Sequence, residues 1–223
     1  MIPIADLLND HQMFHSDVQM DAFITVRAGG TVYGQYKQAL RELSKRFRGL
    51  TGLYHDRQLA ELDIEVLKSG PKGNNFALRR RDIEISRARF GLEQTDHTIK
   101  DTEREFLRFY AQAVVLKRKI EAEHGEFTEE VRAKLDAEMW EYQIQQTIAV
   151  DILAGGRVSS SAITMLRSWG NRKFADPILG AIRENSGESL GKLVAFVTEQ
   201  QPPQLPAYNG ALKGVTVKGL LDG

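Results

Sequence analysis

His11 and His15 stand four residues apart, a spacing that places two imidazoles on one helix face as metal ligands. A metal centre needs further donors, and the neighbouring Asp6, Asp10 and Asp17 follow an ordinary surface pattern, so no metal site is expected. His55-Asp56 and Asp96-His97 are adjacent in sequence, and adjacent side chains diverge on a helix, which leaves neither pair able to act as a dyad. Glu138 and Glu141, three apart, meet on a helix surface, but carboxylates are plentiful around them. Ser159-Ser160-Ser161 lacks the strand-to-helix elbow and the partnering base of a serine nucleophile. With no cysteine, thiol catalysis and a Cys-ligated zinc site are excluded. These patterns point away from an enzyme and imply no cofactor.

The cations are better organised. Lys37, Arg41, Lys45 and Arg48 fall on one arc of a helix at 100° per residue, with Arg46 nearby. From Arg27 to Arg57 seven basic residues face two acidic ones, a net of +5. Arg79, Arg80 and Arg81 open a second basic cluster; with Arg87 and Arg89 against Asp82 and Glu84, residues 79–89 carry +3. Guanidinium and ammonium groups in a row suit a phosphate backbone. The plain alternative is a solvated face that meets an acidic neighbour. Residues 121–151 supply such acidity, with nine acidic residues against two basic.

The elements that carry these residues are helices. Leu78, Ile85, Leu92, Ile99, Phe106, Ala113 and Ile120 keep a seven-residue repeat through residues 76–123, the pattern of a long helix packed as a coiled coil. Its companion positions, Arg81, Ala88, Thr95, Thr102, Phe109 and Leu116, are polar first and apolar last. Thr31 is an N-cap for a second stripe, Tyr33, Tyr36, Leu40, Leu43, Phe47, Leu50 and Tyr54, with Gly49 and Gly52 as points where it loosens or ends. A separate shorter helix is predicted over Gln58–Leu67, then a loop at 69–75. Ile83 and Phe90 lie opposite the main seam, which predicts that the 31–54 helix packs there and brings both basic clusters to one end.

After His124-Gly125, Thr128 caps a helix bearing Leu135, Met139, Tyr142, Gln146, Ala149 and Leu153. Its short connection to the spine predicts an antiparallel hairpin over 76–154. Trp140, Ile144, Ile148 and Ile152 add a second apolar strip, more than one partner covers, and call for a third helix or a subunit interface. Short helices are predicted over Ala162–Ser168, Ile178–Glu184 (with Asp176-Pro177 as cap and first residue) and Ser189–Glu199. Pro202, Pro203 and Pro206 begin an extended tail with Tyr208, Leu212, Val215, Val217, Leu220 and Leu221. The Phe23–Val26 run and Ala28-Gly29-Gly30 are read as a short apolar piece and a turn, since no P-loop lysine follows.

The expected fold is therefore all-α. It comprises an N-terminal helical region with a basic helix (1–75), a long helical hairpin as oligomerisation core (76–154), a short-helix cap (155–200) and an extended tail (201–223). Its 223 residues, 42% hydrophobic and 27% charged, have thirty basic and thirty acidic side chains and no net charge. Whole-chain electrostatics thus favour neither nucleic acid nor membrane. No basic leader with an apolar core is found and no apolar run approaches the roughly 20 residues of a membrane span, so a cytoplasmic protein is expected.

Two function classes fit: an oligomeric nucleic-acid-handling adaptor, and a structural scaffold acting through protein contacts alone. The stretch AGGTVYGQYKQALRELSKRFRGL, the hairpin 76–154 and the tail from Gln201 together resemble the small terminase subunits of tailed bacteriophages. The resemblance implies a homo-oligomer in the host cytoplasm that binds double-stranded DNA through an N-terminal helical region. It also implies a C-terminal segment that engages a motor ATPase. Arg41–Arg48 lies on a long heptad helix rather than on a short recognition helix after a tight turn, so backbone contact is expected rather than base reading.

Overall fold

In the computed structural model, the described residues are 2–13, 31–70, 73–155, 157–184, 188, 190–192, 194–195 and 215–221. Among them no strand occurs. The elements are α1 (Ile4–Met13), α2 (Val32–Ser69), α3 (Asn75–His124), α4 (Glu129–Gly155), α5 (Ser160–Ser168), α6 (Arg172–Glu184) and α7 (Val217–Leu221). The Phe23–Val26 run, the Ala28-Gly29-Gly30 turn, His15 and residues 201–214 of the tail lie outside the described residues, as do several positions of the Ser189–Glu199 helix, whose described residues are helical.

The fold is all-α and built on a long antiparallel hairpin of α2 and α3; the expected partner of α3, residues 129–154, meets its far end, where Ile120 and Glu123 of α3 and Leu135 and Glu138 of α4 line one cavity and Leu135, Met139 and Tyr142 are buried. Polar bridges give the register. Arg46 Nε meets Glu105 Oε2 at 2.5 Å, Tyr54 Oη donates to Glu103 Oε1 at 2.5 Å and Arg57 Nε meets Asp96 Oδ1 at 2.7 Å. As one chain position rises, its partner falls, and near the turn Arg81 Nη1 donates to the Gly70 carbonyl at 2.9 Å. Asn74 then caps α3, its Oδ1 accepting from Ala77 N at 2.9 Å. Gly73 is required at this turn, since a Cβ there would come within 2.9 Å of the Ala77 methyl.

α2 is continuous across Gly49 and Gly52, the points where it was expected to loosen or end, and absorbs the separate helix predicted at Gln58–Leu67. Each helical glycine costs about 1 kcal/mol relative to alanine. Packing on α3 overrides that cost, because Leu50 between them is fully buried and the Arg46, Tyr54 and Arg57 bridges flank them. The repeat on α3 behaves as its composition predicts. Ile99, Phe106, Ala113 and Ile120 are buried, whereas Leu78, Ile85 and Leu92 are only half-buried.

Contacts divide the chain into two compact units. Unit 1 comprises Met1–His11, Ala39–Ala113 and Tyr208–Gly223; unit 2 comprises Gln12–Gln38 and Val114–Ala207. Neither border coincides with the boundaries expected at 75/76 and 154/155, because both long helices contribute to both units. In unit 1, Leu7 of α1 is fully buried and Tyr110 Oη donates to the Ile2 carbonyl at 2.6 Å. The last described part of the tail is helical rather than extended, with Val217 of α7 buried.

In unit 2, α3 ends at Gly125, whose φ of 80° is the left-handed conformation that glycine adopts without strain, and whose N–H bonds the Glu121 carbonyl at 2.9 Å. Thr128 caps α4 as expected. Between them Phe127 packs edge-on against Tyr33 and Tyr36, with the Arg132 guanidinium 4.7 Å from its ring centre. Ser159 caps α5. α6 begins at Arg172, one turn before the expected Asp176-Pro177 start, and Pro177 sits inside it. The added turn buries Ala175 completely, and Asp176 pairs with Arg172 instead of capping. No helix among the described residues is long and apolar enough to cross a membrane.

Candidate nucleic-acid interface

The arc Lys37, Arg41, Lys45 and Arg48 does not form one surface. Lys37 is buried, its Nζ bonded to Asp136 Oδ1 and 5.0 Å from the Tyr33 ring centre. Burial pushes the Lys37 pKa below its ordinary 10.5, partly opposed by the hydrogen bond and charge of Asp136. Lys37 is thus a structural cation of unit 2 and is withdrawn from the phosphate-binding set. α4 decided this by laying Asp136 against Lys37 in the second turn of α2, which the heptad stripe alone did not show.

Within unit 1, Arg41 is half-buried, while Lys45 and Arg48 are exposed. Arg46 is held by Glu105 and by Glu42 (3.3 Å) and lies over the Phe109 ring. Arg79 and Arg80 are exposed, Arg80 pairing with Glu84 at 3.1 Å, and Arg81 is committed to the turn. The two basic clusters are not together. Arg46 lies across from Glu105 and Arg81 across from Gly70, so they sit roughly 36 Å apart along α2 at 1.5 Å per residue. The expectation that they share one end rested on α2 packing over Ile83 and Phe90. That packing is absent, as both side chains are exposed.

The strip expected at a subunit interface is also placed differently. Ile144 and Ile148 are buried in a cluster with Ala162 and Leu166 of α5 and Ala175, Ile178 and Leu179 of α6, and Ile152 packs on its edge. The covering element is the chain's own pair of short helices, the third-helix alternative. Trp140 on the same helix is half-buried. Trp140, Ile144, Ile148 and Ile152 therefore do not make an open oligomer surface.

Of the residues tested for catalysis, Glu138, Glu141, Ser159 and Asp96 serve local structure. Glu141 Oε1 accepts from Trp169 Nε1 at 2.9 Å and from Asn171 Nδ2 at 2.8 Å, and Glu138 lies near Lys134. Ser159 caps α5, and its N–H bonds Asp151. Asp96 binds Arg57, which holds that guanidinium above its ordinary pKa mainly through the hydrogen bond.

Exposed apolar residues emerge where cations were sought. Phe76, Ile83 and Phe90 on α3 are 78%, 55% and 62% exposed, and Leu59, Leu62 and Val66 on α2 are also exposed. Both sets keep heptad spacing, on the sides of their helices turned away from the α2–α3 seam. An open groove beside Ile83 and Phe90 is lined by Asp82, Ser86 and Arg87. The three-four spacing of Leu59, Leu62 and Val66 was the available signal for a second stripe on α2. No protein-family model matches this chain, and no curated protein or solved structure shows significant similarity to it.

Proposed function

We propose that this chain is a non-enzymatic scaffold or adaptor that self-associates through the outer faces of the α2–α3 hairpin. One observation carries the reading: six large apolar side chains stand exposed at heptad spacing, three on each arm. Burying a Leu, Ile or Phe is worth about 1.5–3 kcal/mol, so a solvated ladder of six favours a covering partner strongly. Coiled-coil seams are built from such ladders. Light scattering at micromolar concentration tests it, with a multimer expected; a monomer would sink the self-association reading.

A second reading, a double-stranded-DNA-handling subunit of the small terminase kind, is favoured by Lys45, Arg48, Arg79, Arg87 and Arg89, which are exposed and without an ion pair among the described residues. On this reading the tail from Gln201 engages a partner such as a motor ATPase. Duplex binding followed by fluorescence anisotropy should then weaken steeply with salt. Changing Lys45 and Arg48 to Gln should flatten the log–log slope by about 2, at roughly 0.9 per phosphate contact. Absence of binding at low salt leaves the scaffold reading alone.

A further inference from the structure

The outer faces of the two hairpin arms differ in charge. On α3, Arg80 and Arg87 stand one heptad apart beside Phe76, Ile83 and Phe90, with Arg79 and Asp82 on the other flank. On α2, Asp56 and Asp63 stand one heptad apart beside Leu59, Leu62 and Val66. All six charged side chains are exposed, and only Arg80 has a side-chain partner among the described residues, the half-buried Glu84 four residues on. One heptad spans roughly 10 Å on either helix, so the two cations and the two anions have matching separations. Each face alone is self-repelling: α3 on α3 opposes arginines, and α2 on α2 opposes aspartates. Each is complementary to the other in charge and in apolar content.

Resting on the self-association reading, we propose that the outer face of α3 docks on the outer face of α2 in a second copy of this chain. Arg80 and Arg87 of one copy then face Asp56 and Asp63 of the next. The two faces lie on opposite arms of the hairpin, both turned from the shared seam, so one copy uses both at once. The contact is heterologous: it passes head to tail from copy to copy, and it closes into a ring or extends as a filament according to the rotation at each step. Copies in the same orientation pair α3 antiparallel to the neighbouring α2, the relation α2 and α3 already have within the hairpin, with a stagger of roughly 12–15 Å along the helices that brings Arg80 level with Asp63 and Arg87 level with Asp56.

Two variants of the full chain test this. One breaks the α3 face with Ile83→Glu and Phe90→Glu; the other breaks the α2 face with Leu62→Glu and Val66→Glu. All four positions are exposed, so the far-UV circular dichroism of each variant should match the wild type. Should either lose helicity, serine at the same positions replaces glutamate. Each variant alone should be monomeric by light scattering, because it keeps one face and lacks its complement. Mixed in equal amounts they should double in mass and grow no further, since the intact α2 face of the first meets the intact α3 face of the second. Assembly of one variant alone while the other is monomeric indicates a like-with-like contact and overturns the proposal. So do wild-type assembly in both variants, the result expected if DNA or another protein covers these faces, and failure of the mixture to recover mass. A monomeric wild type instead removes the self-association reading beneath it.

Discussion

The hairpin of unit 1 and the α4–α6 region of unit 2 begin with the same problem and end differently. Each presents more apolar surface than a two-helix seam covers. In unit 2 the surplus strip on α4 is roofed by α5 and α6, leaving Ile148 at 0% exposure. In unit 1 the surplus stripes on α2 and α3 stay in solvent. The flanking charges follow the same division. Unit 2 holds a buried ammonium, Lys37, on a buried-side carboxylate, whereas the long-range ion pairs of unit 1 at Arg46 and Arg57 are exposed or half-exposed. An apolar heptad is thus no guide to its own place; what lies over it decides whether it joins the core or stays open to solvent.

Glutamate substitution separates the two regions most sharply. Ile148→Glu places an unpaired charge among Ile144, Leu166 and Leu179, and should cost more than about 3 kcal/mol and unfold unit 2. Ile83→Glu on the open face should change stability by less than about 0.5 kcal/mol. Chemical denaturation followed by circular dichroism reads both, and equal losses would erase the distinction. A folded but smaller Ile148→Glu species would restore a subunit interface at that strip.

The ion pairs give the next largest effect. Asp136→Asn removes the carboxylate bonded to the buried Lys37 ammonium and should cost about 2 kcal/mol. Burial lowers the Lys37 pKa in the folded state, so between that value and 10.5 the unfolded chain binds more protons and stability rises with pH. The loss in Asp136→Asn should therefore shrink as pH approaches 10.5. A loss that is flat with pH would mean that Lys37 reaches water once Asp136 is gone. Arg57→Gln, by contrast, removes a solvent-screened pair worth at most about 1 kcal/mol.

The smallest effect has the opposite sign. A Cβ at Gly49 or Gly52 would meet nothing within 4 Å. Gly49→Ala and Gly52→Ala should each stabilise unit 1 by about 0.5–1 kcal/mol through helix propensity and the lost freedom of the unfolded chain. A rise in midpoint without a change of slope on denaturation would confirm it. No gain would show that the bend or mobility of glycine is used at this point of α2.

Helix ends are the part of the local structure most legible in the sequence. Thr31, Thr128 and Ser159 cap helices because their hydroxyls can accept the first free N–H groups, and Gly125 ends α3 because it tolerates a positive φ. The gradient along α3, dry from Ile99 onward and half-wet before it, is legible in the companion positions, polar at Arg81 and apolar at Phe109 and Leu116. The pairing was decided by tertiary structure. Both connections, residues 70–74 and 125–128, are short enough for an antiparallel hairpin, and one apolar stripe fits another without selectivity. Burial of Leu50 and Ile64 of α2 and of Ile99 and Phe106 of α3 supplies most of the energy of the α2–α3 pairing, and Arg46–Glu105 and Arg57–Asp96, contacts between residues far apart in sequence, mark its register. The same pairing carried Gly49 and Gly52 into an unbroken helix, buried Lys37 and left Phe76, Ile83 and Phe90 open. A side chain's type states what it can do when covered or exposed, and only the packed chain decides which it is.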